Sequence, residues 1–203
     1  MIILKDFTGK LPAVLQSYGS MPPWEILRHL KEILTEAITS ADKDYRVEGS
    51  MAIHRTAVIE EGALCKPPLF IGPNCFVAAH AYLRGGVYLE SGITIGPGCE
   101  VKSGIILAET HLAHFNFVGD SILCRLVNIE AGAILANHFN ERVDKQILIL
   151  HKGREIPTEV EKFGALVGDG SKIGANAVLP PGSILEKNTV VNRLTLWNQS
   201  PEG

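Results

Sequence analysis

Two cations eighteen residues apart, Arg84 and Lys102, each directly follow an aliphatic residue, Leu83 and Val101. In a chain that coils with about eighteen residues per turn, they stack on one outer face about 4.8 Å apart, the spacing of paired strands. Cations held so close repel each other unless an anion bridges them. The equivalent place on the next turn is Gly119, which leaves room for a ligand, and a phosphate-bearing one fits. His114 follows Ala113 at the same outward place on the preceding face. An imidazole, with an unperturbed pKa of about 6.5, can take a proton near neutrality. Asn128 and Asn137 by themselves read as ordinary turn residues. The residues alone therefore give an anion site beside a histidine.

Positioning such groups falls to a beat of six. Aliphatic residues fall at Ile53 and Ile59, then at Ile71, Val77, Leu83, Leu89, Ile95, Val101 and Leu107. The beat continues at Val118, Leu123, Ile129 and Leu135, and again at Val167, Ile173, Leu179, Leu185 and Val191, with one shortened step of five from Val118 to Leu123. Four residues after most of them stand small or β-branched residues such as Cys75, Ala81, Cys99, Ile105, Val127, Ala133 and Ala177. Neither the helical period of 3.6 nor the strand period of 2 fits this pattern. It predicts an all-β fold, a single-stranded parallel β-helix of hexapeptide repeats whose coils stack to form a core. Glycine at the second place (Gly72, Gly96, Gly119, Gly168, Gly174) is expected to permit tight corner turns. An antiparallel sandwich would not hold one phase so long.

The chain has 203 residues, 46% of them hydrophobic and 20% charged, with a net charge of -3. These values suit one compact domain plus an appendage. A mildly acidic balance argues against nucleic acid or an anionic membrane as partner. No apolar run is long enough to span a bilayer, the first residues do not read as a signal peptide, and a cytoplasmic location is expected. Cys65, Cys75, Cys99 and Cys124 lack metal-ligand spacing and read as buried free thiols.

Residues 1–50 form an N-terminal extension that opens with a possible short strand, IILKDF. One amphipathic helix follows over about 23–41, placed to cap the open first coil or to pack between subunits. Residues 51–203 form the β-helix. The beat breaks at Cys65-Lys66-Pro67-Pro68 and lapses over an inserted loop at about 136–165, read as a functional excursion or an arm gripping a neighbouring subunit. The tail leaves the repeat from Asn192.

The runs LAHFNFVGDSILCRLVNIEAGAILAN and EKFGALVGDGSKIGANAVLPPGSI, with the repeats before them, resemble a known domain. It is the C-terminal acetyltransferase domain of bifunctional sugar-1-phosphate nucleotidyltransferase/acetyltransferases, and the match covers about residues 50–190. The resemblance implies a left-handed coil, a homotrimer with sites between subunits, and acetyl transfer from acetyl-CoA to an amino-sugar phosphate or nucleotide amino sugar like glucosamine 1-phosphate, without a metal. It implies His114 as general base and Glu100 as the residue that orients it. Arg84 and Lys102 would hold the phosphate, with Asn128, Asn137 and Phe117 in the substrate site. Asn137, His138, Gly164, Ala165, Ala177 and Pro181 would lie along the coenzyme.

Departures from that family are specific. Phe117 stands for an active-site tyrosine, His138 for the tyrosine after the second asparagine, and Val143 for a loop lysine. The nucleotidyltransferase domain has no counterpart here, so nucleotide sugars are not expected to be made from UTP by this chain unaided. Two other readings follow from the residues. One is a non-catalytic sugar-phosphate module or partner of a separate nucleotidyltransferase. The other is a zinc-dependent hydration enzyme built on His80, His111 and His114.

Overall fold

The structure is a computed structural model that describes residues 2–198. Short parallel strands wind into a prism with three walls, and residues one coil apart stand in Cα register. On the first wall the outward column runs Leu64, Tyr82, Glu100, Phe117, Ile134, Val178. The second wall carries Ala52, Phe70, Tyr88, Ile105, Ile122, Leu166 and Ile184. The third carries Val58, Phe76, Thr94, His111, Asn128, Lys172 and Val190. Facing inward, the aliphatic beat and the small residues form one continuous core, including Leu83, Ile95, Val101, Leu112, Val118 and Leu135.

The beat differs from expectation at one corner. Ile106, not Leu107, enters the prism, and Ile105 also faces outward, with Gly104 taking the place opposite Val87. Steps of five therefore occur twice, from Val101 to Ile106 and from Val118 to Leu123, both where the first wall meets the second. In the preceding coil Gly85 and Gly86 face the single residue Ser103 as a bulge and restore a step of six. Both glycines adopt positive φ, 71° and 93°, conformations that side chains resist.

Gly72 and Gly96 work differently from the predicted turn role. A Cβ there would sit 1.5 Å from the Glu90 carbonyl oxygen and 1.6 Å from that of Ala113. The requirement is close approach of successive coils, not a left-handed turn.

A second core lies outside the prism, on the second wall. Its outward column is covered by the N-terminal extension and by the insertion, and Phe70, Tyr88, Ile105, Leu107, Ile122 and Leu166 pack there with Ile26, Ile33, Leu34 and Phe163. The expected N-terminal strand is instead a short helix, α1 (Leu4–Phe7), because Leu4 and Phe7 share a face and bury it here. The amphipathic helix divides at His29 into α2 (Pro23–Arg28) and α3 (Leu30–Thr39). Neither caps the first coil. They lie along the second wall, where Gly86 has no side chain to separate it from Leu30 and Leu34.

The insertion forms an antiparallel hairpin, Leu148–His151 with Arg154–Pro157, that turns back on its own chain. Ile147 and Ile149 are buried in the outer core, and Arg28 donates to the Glu159 carbonyl at 2.9 Å. The tail also stays within the repeat beyond Asn192. Leu196 bridges to Val178, and Trp197 packs on the inner core. All four cysteines are free thiols; Cys75, Cys99 and Cys124 are buried, and burial pushes the Cys75 thiol up to about 11. Among the described residues no helix is long and apolar enough to cross a membrane.

Candidate functional site

The corner between the first and second walls holds the candidate cations. Arg84 and Lys102 are Cα partners in adjacent coils, as eighteen-residue spacing requires. The neutralising groups belong to the chain itself. Glu100 Oε1 accepts from Arg84 Nε at 2.7 Å and lies 2.6 Å from its second terminal nitrogen, while Asp120 Oδ2 accepts from Lys102 Nζ at 2.8 Å. The expected repulsion between bare cations is thus relieved by two interleaved carboxylates, because strand stacking brings acids from the following coils beside them. Arg84 also lies over the Tyr82 ring, 5.6 Å from its centroid. Each cation keeps N–H groups beyond those used, since a guanidinium has five and an ammonium three.

Gly119, read as open space, is already occupied. A Cβ there would meet the Phe117 ring and Asn137 Cγ, each at 2.9 Å. Glycine lets these two side chains close over the corner. Asn137 is 8% exposed, and its Nδ2 donates to Asp120 Oδ2. Two sets of contacts therefore cross between coils at this corner, Arg84 with Glu100 and Lys102 with Asp120 and Asn137.

Several predicted residues fall elsewhere. His114 is exposed in the turn that carries the chain from the third wall to the first; its carbonyl accepts from Gly132 N at 2.8 Å, and no described residue hydrogen-bonds its ring. Asn128 lies exposed on the third wall between His111 and Lys172, beside a hollow of about 240 Å³ that Arg193 also lines. His138 is exposed, directly after Asn137. Gly164 donates to the Asp120 carbonyl and accepts from Gly182 and Ser183. Ala165 and Ala177 point into the inner core, and Pro181 is buried. Val143 stands fully exposed in the insertion. Among the described residues, no group of three or more His, Cys, Asp or Glu gathers as a metal site, and His80, His111 and His114 do not converge.

Asp120 is the residue of the candidate site that the sequence reading passed over. Eighteen-residue stacking did not mark it: this coil is one residue shorter, so Gly119 is the Cα partner of Lys102 and Asp120 stands one place later. Its φ of 41° puts it at the corner in the left-handed region, which aspartate tolerates better than most residues.

Stacked coils with one inward aliphatic per hexad, turning at glycine-lined close approaches, define a hexapeptide-repeat parallel β-helix protein. Within that class the chain resembles the acetyltransferase domain of the bifunctional sugar-1-phosphate nucleotidyltransferase/acetyltransferases. It is 30% identical over 187 residues, 89% of its length, to a bifunctional protein GlmU of Methanococcus maripaludis, and 38% identical over 176 residues to that of another strain. A bifunctional sugar-1-phosphate nucleotidylyltransferase/acetyltransferase of Sulfurisphaera tokodaii is 30% identical over 79% of the chain. The chain spans less than half the length of each, 44%, 41% and 41%. No family model matches the sequence. A hexapeptide transferase family protein from Anaplasma phagocytophilum aligns over 68% of the chain and 70% of its own, at 16% identity and a TM-score of 0.41, too slight a likeness to argue from.

Proposed function

We propose that this protein transfers an acetyl group from acetyl-CoA to the amine of an amino-sugar phosphate or nucleotide amino sugar. The observation that carries the reading is the Arg84–Lys102 ladder, in register on one corner and closed over by Asn137. The names of the relatives supply the reaction class. A substrate phosphate takes the N–H groups that the two cations have left over, sharing them with Glu100 and Asp120.

The amine attacks the thioester carbon as a neutral nucleophile. As the N–C bond forms, His114 takes a proton from nitrogen, the C–S bond breaks, and the imidazolium returns the proton to the departing thiolate. Such proton transfer contributes about 10²- to 10⁴-fold. Glu100 keeps Oε2 for orienting the imidazole while Oε1 holds Arg84. Asn128 and Phe117 help enclose the sugar. The coenzyme lies along the later coils past Asn137, His138, Gly164, Ala165, Ala177 and Pro181, contacting main chain where the side chains are turned inward.

In this reading the site is completed between copies in a homotrimer. Support comes from the uneven covering of the prism. The second wall is buried under helices, whereas Leu64, Ile134 and Leu196 on the first wall are 56%, 40% and 70% exposed. On the third wall Val58 and Val190 are exposed as well. Exposed apolar columns of this kind suit contact with another copy.

Phe117 favours a second reading, a module that binds sugar phosphate without turning it over, since a tyrosine hydroxyl of the related domain is missing. A thiol-release assay with acetyl-CoA and a panel of amino-sugar phosphates and nucleotide amino sugars separates the two. Turnover that disappears in His114→Ala supports acetyl transfer; tight sugar-phosphate binding without thiol release selects the module.

A further inference from the structure

Asp120 Oδ2 receives both Lys102 Nζ at 2.8 Å and Asn137 Nδ2. A carboxylate has only acceptors to offer, so the amide nitrogen of Asn137 must face Asp120 and the amide oxygen must face away. That oxygen, Oδ1, accepts nothing from the described residues. Nor is it completely buried, because the one fully buried side-chain polar atom without a partner among the described residues is Trp197 Nε1.

Main-chain bonds hold both residues in place. Gly164 N donates to the Asp120 carbonyl at 2.8 Å, and Phe163 N to the Asn137 carbonyl at 2.9 Å. Ser121 Oγ ties Gly119 O to Ala165 N at 2.7 and 3.0 Å. The backbone at this corner therefore does not depend on the Asp120 carboxylate. The carboxylate is free to set side-chain directions.

We propose that Asp120 is a positioning residue: it locks the Asn137 amide so that the carbonyl oxygen is the group presented to the ligand, making Asn137 an acceptor for an N–H of the amino sugar. The inference rests on the acetyl-transfer site proposed above and goes beyond it in assigning the direction of one hydrogen bond. Lys102, on the same carboxylate, ties the phosphate end of the ligand to its amine end. An amine thus held by one N–H keeps its lone pair aimed while another proton leaves. A hydroxyl in its place would satisfy the same acceptor with the wrong lone-pair geometry for attack.

The test compares Asp120→Asn, Asn137→Ala and the double variant with wild type. Asparagine keeps the shape and the left-handed backbone but offers an N–H that allows the Asn137 amide to turn over. Expected in Asp120→Asn are an unchanged melting temperature, a KM for acetyl-CoA within about twofold, and a kcat lower by about 10- to 100-fold. The double variant is expected to be no worse than Asn137→Ala alone. By calorimetry, wild type binds an amino-sugar phosphate tighter than the sugar phosphate with hydroxyl for amine, and Asp120→Asn narrows that preference about tenfold.

Losses that multiply in the double variant, a loss that tracks a fallen melting temperature, or an unaltered amine preference overturns the proposal. Wild type that binds with amine preference but releases no thiol sinks acetyl transfer while leaving the Asp120 role to the calorimetric arm. Wild type without amine preference sinks the Asp120 role.

Discussion

Gly119 sits on the cation corner and has little freedom to change. A methyl group there would press on the Phe117 ring and the Asn137 amide at 2.9 Å. Gly119→Ala should cost about 1–3 kcal/mol of stability through overpacking. It should also lower turnover by about 10- to 100-fold, because Asn137 is displaced from the ladder. Chemical unfolding and steady-state kinetics read the two effects; a variant that matches wild type in both removes the closure role from Asn137. The stacking of Arg84 on Lys102 was legible from spacing alone, since strand pairing fixes where Cα atoms lie. The partners of those cations were not. A side chain as long as Arg84 can lean along the wall to Glu100, and rotamer choice leaves no mark in a six-residue beat. His114 illustrates the other limit. Its outward position was readable, but its ring is exposed and hydrogen-bonds no described residue, so the chain's own fold gives it no partner.

The helices α2 and α3 act as a cover that keeps the second wall flat and dry beside the ladder. Leu34 is completely buried there, against Gly86 in the bulge that follows Arg84. Leu34→Ala should destabilise the chain by about 2–5 kcal/mol. A loss well below that, measured by denaturant unfolding, would mean the cover contributes little to the corner. Apolar periodicity made this pair visible from Ile26 to Ile38, though the break at His29 was not. α1 escaped because four residues carry too little period to separate strand from helix. Leu107 was misassigned for a related reason: Ile105, Ile106 and Leu107 form an aliphatic run, and only the strand register beside Gly85–Gly86 shows which enters the prism.

Across the whole molecule, covering one wall and leaving two bare sets the expected assembly. Sedimentation should give a species of three chains of 22.0 kDa at micromolar concentration. A monomer would leave the Leu64, Ile134 and Leu196 column in water and would remove the second copy from the proposed site. The prism itself was legible because one inward aliphatic per hexad is demanded by every coil. The insertion's path was not, since Ile147 and Ile149 find their partners only once the coils around Phe163 and Ile184 exist.

The central claim is that an amino sugar held by Arg84 and Lys102 gives up a proton to His114 as it takes an acetyl group. Thiol release from acetyl-CoA in the presence of glucosamine 1-phosphate and related amino-sugar phosphates and nucleotide amino sugars measures this directly. The account predicts turnover by wild type that falls by at least about 10²-fold in His114→Ala with the melting temperature unchanged. Wild-type turnover that persists undiminished in His114→Ala, or no thiol release with any amino sugar in the panel, would contradict it.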